Sequence, residues 1–271
     1  MKKPTVCRLV AVISAMAFAA CASAPLPVAW MDDDWKPSVE HFQSIRRGPW
    51  TQEGNTDFRI YVDHENQNIY ITGQESRCRD DWRDNFSFWT GRGPTASWFG
   101  EVRVHAGFLR QYQSARNTLL NVSWRYPDYA IRVTGYSLGA AWLQIFMQDV
   151  LHVWPERDIT AIFYSPGNPW RRLPQRYRRS LRERTVFIYN RWDFITWMGL
   201  LGFFRYGENI RLGSVWRMRP NQHHPYQVIR GLEEKARSQG VPSACLDAGD
   251  ESFFQPAFPD FEDFDGDPVF F

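Results

Sequence analysis

Cysteine is scarce in this chain: Cys7, Cys21, Cys78 and Cys245 are the only four in 271 residues. No grouping of Cys and His has the spacing of metal ligands, so the sequence offers no metal centre to build on. Net charge is nearly absent too. A formal +2 at neutral pH is too small to suggest a nucleic-acid partner. No internal repeat is visible. The apolar run Leu9 to Ala20 is too short to span a bilayer as a helix. What the chain does have is length enough for one α/β domain with a sizeable core. It also has 13 Trp and 20 Phe, which suit a core or an apolar surface.

The first residues read as an export signal rather than as fold. Lys2, Lys3 and Arg8 form a basic region, an apolar run follows, and then small residues. Phe18-Ala19-Ala20-Cys21 resembles a bacterial lipobox, with Phe18 where Leu is usual. On that reading Cys21 becomes the lipidated first residue of an outer-membrane lipoprotein. Cleavage after Ala24 would give a plainly secreted chain, but Pro25 disfavours it. A retained anchor is the third alternative. The expected organisation is a signal peptide over 1–21, an irregular lead-in over 25–56, a hydrolase-type domain over 57–245 and an acidic, Phe-rich tail over 246–271. Cys78 and Cys245 are either paired in an exported protein or two free buried thiols.

The chain is organised around Gly135-Tyr136-Ser137-Leu138-Gly139. Ile131, Val133 and Thr134 before it, alternating with Arg132, read as a short buried strand. Ala140, Ala141, Leu143, Ile145, Phe146 and Val150 after it read as an apolar helix. Ser137 therefore falls on a strand-to-helix turn, the context of a nucleophile elbow. Small residues flank it because backbone and helix approach closely there. The helix start leaves backbone N–H groups, that of Leu138 first, beside the serine oxygen, where they can hold an oxyanion. The bland alternative is a plain strand–helix turn with a capping serine.

Other stretches fill in an alternating pattern. Phe58 to Val62, Ile69 to Thr72, Ile159 to Tyr164, Thr185 to Tyr189 and Val215 to Met218 read as strands. Leu109 to Asn121 and a last segment ending near Lys235 read as helices. Strands alternating with helices predict an α/β fold, a mainly parallel sheet with helices on both faces. Arg77 to Trp89 is amphipathic, with Trp82, Phe86 and Trp89 on one face; it is either a surface helix or a lid. Arg171 to Arg184 carries seven arginines. It is either a solvated helix face or a site for phospholipid or an acidic partner.

A serine hydroxyl needs a base to take its proton and an acid to orient that base. In α/β hydrolases the three follow one another as Ser, Asp or Glu, then His, each after a strand. Here Ser137, Asp193 and His223 have that order. Asp193 has a turn-capping alternative, and His223 has a competitor in His224. His41, His64 and His105 precede the serine, and His152 lies at the far end of the elbow helix.

From Ile69 to Tyr226 the chain resembles the class 3 lipase family of α/β hydrolases. The resemblance rests on motifs in order: Thr72-Gly73-Gln74, Asp81-Trp82, Val104 to Phe108, Val133 to Ala141, Ser165-Pro166-Gly167, Asn190 to Asp193, and His223 to Tyr226. The family usually has His at Tyr136, and Arg-Gly-Thr or Arg-Gly-Ser at the first motif. The resemblance implies hydrolysis of carboxylic esters of lipids, with acylglycerols as typical substrates, and no cofactor. Phospholipase or acyltransferase chemistry on the same site, or a non-catalytic envelope lipoprotein, are the rival readings. It implies catalytic Ser137, Asp193 and His223 and a lid over Arg77 to Trp89. It also puts Gln74 in the oxyanion position, by its backbone N–H. The partners it implies are a lipid ester and a membrane or lipid surface.

Overall fold

The structure, a computed structural model, describes residues 39–46, 50–54, 56–74, 90–91, 102–191, 193–195, 201–212 and 223–238. The strand read at Val215 to Met218, the candidate lid Arg77 to Trp89, Cys21 with its signal, Cys78, Cys245 and the tail over 246–271 lie outside these residues.

The elements in order are α1 (Val39–Ile45), β1 (Thr51–Glu53), β2 (Thr56–Asp63), β3 (Asn68–Gly73), β4 (Thr90–Gly91), β5 (Arg103–His105) and α2 (Ala106–Arg125). There follow β6 (Ala130–Tyr136), α3 (Leu138–Val153), β7 (Ile159–Tyr164), β8 (Trp170–Arg172), α4 (Gln175–Arg184), β9 (Thr185–Asn190), β10 (Glu208–Leu212) and α5 (Pro225–Ser238). The main sheet has the order β1-β2-β3-β6-β7-β9-β10. Strands β3, β6, β7, β9 and β10 are parallel, and β1 and β2 extend the sheet antiparallel at one edge. A small antiparallel sheet, β4-β5-β8, stands apart. This is the α/β-hydrolase arrangement of a mainly parallel sheet between helices.

Period-2 alternation explains how the sheet is sandwiched. Ile131 and Val133 of β6, with Ala161 and Phe163 of β7, face one core, where Leu143, Phe146 and Val150 of α3 and Tyr112 and Leu119 of α2 pack. Tyr136, Ile162 and Tyr164 face the other, against Phe42 of α1 and Val228 and Leu232 of α5. Every residue of α3 from Leu138 to Leu151 is buried, Asp149 included. A buried carboxylate must be paired. Asp149 accepts from Arg116 Nε at 2.6 Å and from the Tyr112 hydroxyl, both on α2. That pairing locks the two long helices together.

The structure corrects the expectation of an irregular lead-in over 25–56, since it contains α1 and β1. Phe42 of α1 is fully buried between Tyr136 and Tyr164, with ring centroids at 5.4 and 4.8 Å. A helix of seven residues has little stability of its own, so this packing is what forms it. The start of the arginine run is likewise strand β8, and the helix begins only at Gln175, after Pro174. After β9 the next described strand is β10, a stretch the sequence reading left unassigned.

Candidate active site

Strand β6 ends at Tyr136, and Ser137 turns the chain directly into α3. Its backbone takes φ 53° and ψ −117°, a region that costs a non-glycine residue free energy. The Ser137 N–H donates to the Tyr164 carbonyl at 3.0 Å, which ties the turn to β7. Glycine is required on both sides. A Cβ on Gly135 would lie 2.8 Å from the Ala140 nitrogen, and one on Gly139 only 2.2 Å from the Gly73 oxygen. The end of β3 thus runs hard against the first turn of α3.

Three side chains meet at this turn. Ser137 Oγ is 2.7 Å from His223 Nε2. His223 Nδ1 is 2.9 Å from both carboxylate oxygens of Asp193. All three are nearly inaccessible to solvent, with Asp193 at 0%. The pairing assigns the tautomer: Nδ1–H donates to Asp193, and Nε2 accepts from the serine O–H. Asp193 follows β9, its N–H donating to the Asn190 carbonyl at 3.0 Å and its Oδ1 accepting the Ile195 N–H at 3.0 Å. The turn-capping role and the pairing with His223 therefore coexist. The guanidinium of Arg205 lies within electrostatic reach of Asp193, while burial pulls its own pKa down. It stacks 4.1 Å over the Tyr189 ring and donates to Asn168 at 2.9 Å.

His223, not His224, faces the serine. His224 Nδ1 instead accepts the Tyr226 N–H at 3.2 Å as α5 begins. The other histidines lie elsewhere. His152 and His64 bond the hydroxyls of Tyr177 and Tyr129, at 2.6 and 3.1 Å. His41 bonds that of Tyr164 at 2.7 Å, and His105 stacks on Phe108 at 4.2 Å.

The two oxyanion donors fare differently. Leu138 is the first helical residue of α3, and among the described residues no backbone carbonyl accepts its N–H. The Gln74 N–H donates to the Asp57 carbonyl at 3.0 Å. The antiparallel ladder of β2 and β3 pairs Phe58 with Gly73, and this bond carries it one residue further. The N–H that the resemblance puts in the oxyanion position is thus engaged with β2 in this structure.

Two contacts escaped the sequence reading. Tyr136 stacks on the His223 ring, with centroids 5.3 Å apart, and its hydroxyl donates to the His223 carbonyl. Phe194 meets the same imidazole edge-on at 5.8 Å. The signal for Phe194 is its place directly after Asp193; that for Tyr136 is its place beside Ser137, where the family usually has His.

The family model described as lipase (class 3) matches residues 57–200, just over half of the chain. The chain belongs to the class 3 lipase family. A lipase of Rhizomucor miehei is 29% identical over 133 residues, 44% of this chain and 36% of that protein. The chain thus aligns with about a third of the length of that relative. Among solved structures, the Rhizomucor miehei lipase propeptide complex is similar at 19% identity and a TM-score of 0.49, over 61% of this chain and 55% of that one. The lipase of Rhizopus microsporus var. chinensis is similar at 14% identity and a TM-score of 0.48, over 84% of each chain. A triacylglycerol lipase from Penicillium expansum is similar at 16% identity and a TM-score of 0.47, over 62% of this class 3 lipase chain and 69% of that one.

Proposed function

We propose that this chain is a serine hydrolase of carboxylic esters of lipids. The observation that carries the reading is the unbroken series of hydrogen bonds from Ser137 through His223 to Asp193, at 2.7 and 2.9 Å. Ser137 Oγ adds to the ester carbonyl carbon and passes its proton to His223 Nε2. The oxygen of the tetrahedral intermediate gains negative charge, and the Leu138 N–H at the start of α3 faces it. His223 then returns the proton to the departing alcohol. Water, deprotonated by the same nitrogen, attacks the acyl carbon and releases the carboxylic acid and the serine. Asp193 holds the imidazole in the tautomer that accepts at Nε2. A contribution from Gln74 would require its bond to Asp57 to break first.

The reading carries with it a lipid surface as the place of action and export of the chain, with Cys21 as the lipidated residue. The test is turnover of p-nitrophenyl esters, triglycerides and phospholipids by the native chain and by Ser137→Ala. The native chain should hydrolyse at least one class, and Ser137→Ala should lose roughly 10⁴-fold or more. Equal turnover by the two would overturn the assignment. The panel also separates acylglycerol from phospholipid preference.

A further inference from the structure

We propose that Arg103, Arg171 and Arg172, continued by the arginines of α4, form a rim that seats the chain on anionic lipid headgroups beside the candidate site. This rests on the lipid-ester reading above and goes further by naming the charge of the surface. From Trp170 to Arg184 there are seven arginines and one acidic residue, Glu183. Glu183 is engaged with Arg179 at 3.0 Å and Arg184 at 3.8 Å. Arg103, Arg171, Arg172 and Arg182 are all exposed. Among the described residues, none of these four has an acidic side chain within ion-pair distance.

The placement is more telling than the number. Arg103 of β5 and Arg172 of β8 are direct cross-strand partners. Like charges directly opposite one another destabilise an antiparallel pair. The next pair is Val104 with Trp170, so Arg171 falls between the pairs, at an irregularity of the ladder. Three guanidinium groups are thereby gathered on a strand pair that has no acidic residue to offset them. An anion from outside would relieve the repulsion, and the planar guanidinium suits phosphate oxygens.

An exposed apolar residue, Phe204, adjoins the rim. The Trp170 N–H donates to the Phe204 carbonyl at 3.1 Å, and the Phe204 N–H donates to the Trp170 carbonyl at 2.7 Å. Phe204 is 47% exposed, Leu201 52% and Phe194 44%. Phe194 touches the imidazole of His223. Phe204 precedes Arg205, whose guanidinium lies within electrostatic reach of Asp193, and the arginines begin at the residue after Trp170, so the rim adjoins the candidate site. A surface that is apolar below and anionic above matches both halves. An acidic protein would match only the arginines.

Vesicle cosedimentation with the Ser137→Ala chain tests this without turnover. Vesicles of phosphatidylcholine alone are compared with vesicles containing about a third phosphatidylglycerol. Binding to the anionic vesicles should be at least tenfold stronger at low salt and fall steeply by 0.5 M salt. In the same background, Arg103→Gln/Arg171→Gln/Arg172→Gln should weaken anionic binding by roughly a hundredfold. A charge-matched control, Arg230→Gln/Lys235→Gln/Arg237→Gln on α5, should keep it. Circular dichroism and thermal midpoint confirm that each variant is folded. Equal binding to both vesicle types, or equal loss in rim and control variants, would overturn the proposal. Hydrolysis of a dissolved short-chain ester by the native chain tests the ester-hydrolase reading separately, so the two can fail independently.

Discussion

Tyr136 holds His223 by two separate contacts. Its ring lies nearly parallel to the imidazole, at 19° and 5.3 Å, and its hydroxyl donates to the His223 backbone carbonyl. Tyr136 is also the residue before Ser137. One side chain therefore ties the candidate base to the strand that carries the candidate nucleophile. Tyr136→Phe keeps the stacking and loses the hydrogen bond. Steady-state kinetics on a dissolved ester should show kcat lower by roughly three- to tenfold with KM unchanged, about the net worth of one hydrogen bond. Tyr136→Leu should lose more. An unchanged kcat in Tyr136→Leu would show that neither contact positions the base.

The two adjacent histidines should separate cleanly. His223→Ala should reduce turnover by roughly 10⁴-fold, and adding Ser137→Ala should change little further, because the residues act as a unit. His224→Ala removes an acceptor for the Tyr226 N–H at the start of α5. It should lower stability by about 1 kcal/mol, as loss of a helix cap does, and leave turnover near native. The reverse outcome would exchange their roles.

Gly139 should tolerate no side chain. An added Cβ would lie 2.2 Å from the Gly73 oxygen, 2.4 Å from the Gly73 carbonyl carbon and 2.7 Å from the Gln74 oxygen. All three are backbone atoms, so relief requires moving β3 or α3. Gly139→Ala should cost about 3 kcal/mol or more in urea unfolding, if it folds at all. Gly202, with φ +78° and nothing within 4 Å of an added Cβ, makes the comparison. Gly202→Ala should cost only the left-handed conformation, about 1–2 kcal/mol.

Acid sensitivity should come in part from His41. Burial pulls its pKa down from 6.5 to about 3, and Tyr164 bonds its ring at 2.7 Å. Above pH 6.5 it is neutral in folded and unfolded chains alike. Below that, the unfolded chain takes up a proton that the folded chain refuses until pH nears 3. Stability should therefore fall as pH drops through this window, with a slope from this group of about 1.4 kcal/mol per pH unit. Urea unfolding of native and His41→Gln chains at pH 7 and pH 5 measures it. The variant should show the shallower dependence, and identical dependence would remove His41 as a source.

Much of the fold was legible because its signals are local. Ile159 to Tyr164 is a strand with those bounds, and Thr185 to Tyr189 extends by one residue. Gly-x-Ser-x-Gly between an apolar strand and an apolar helix announced the elbow. Some elements were silent for the opposite reason. The three residues of β1 are exposed or half-buried and carry no alternation, and α1 is held by Phe42 packing on strands more than ninety residues away. Strand β8 was hidden inside an arginine run that reads as helix, because its pairing with β5 is invisible to any local window.

The sequence by itself determined the alternation of strands and helices, the sharp turn at Ser137 and the order Ser137, Asp193, His223. Period, glycine placement and residue type are properties of a short stretch of chain, and a short stretch displays them. Only the tertiary structure decided that His223 Nε2 lies within hydrogen-bond reach of the serine, that the Gln74 N–H is engaged by Asp57, and that Tyr136 braces the imidazole. Each depends on where separate strands end relative to one another. That is set by packing two cores against a sheet whose neighbours are distant in the chain, and no local pattern carries it.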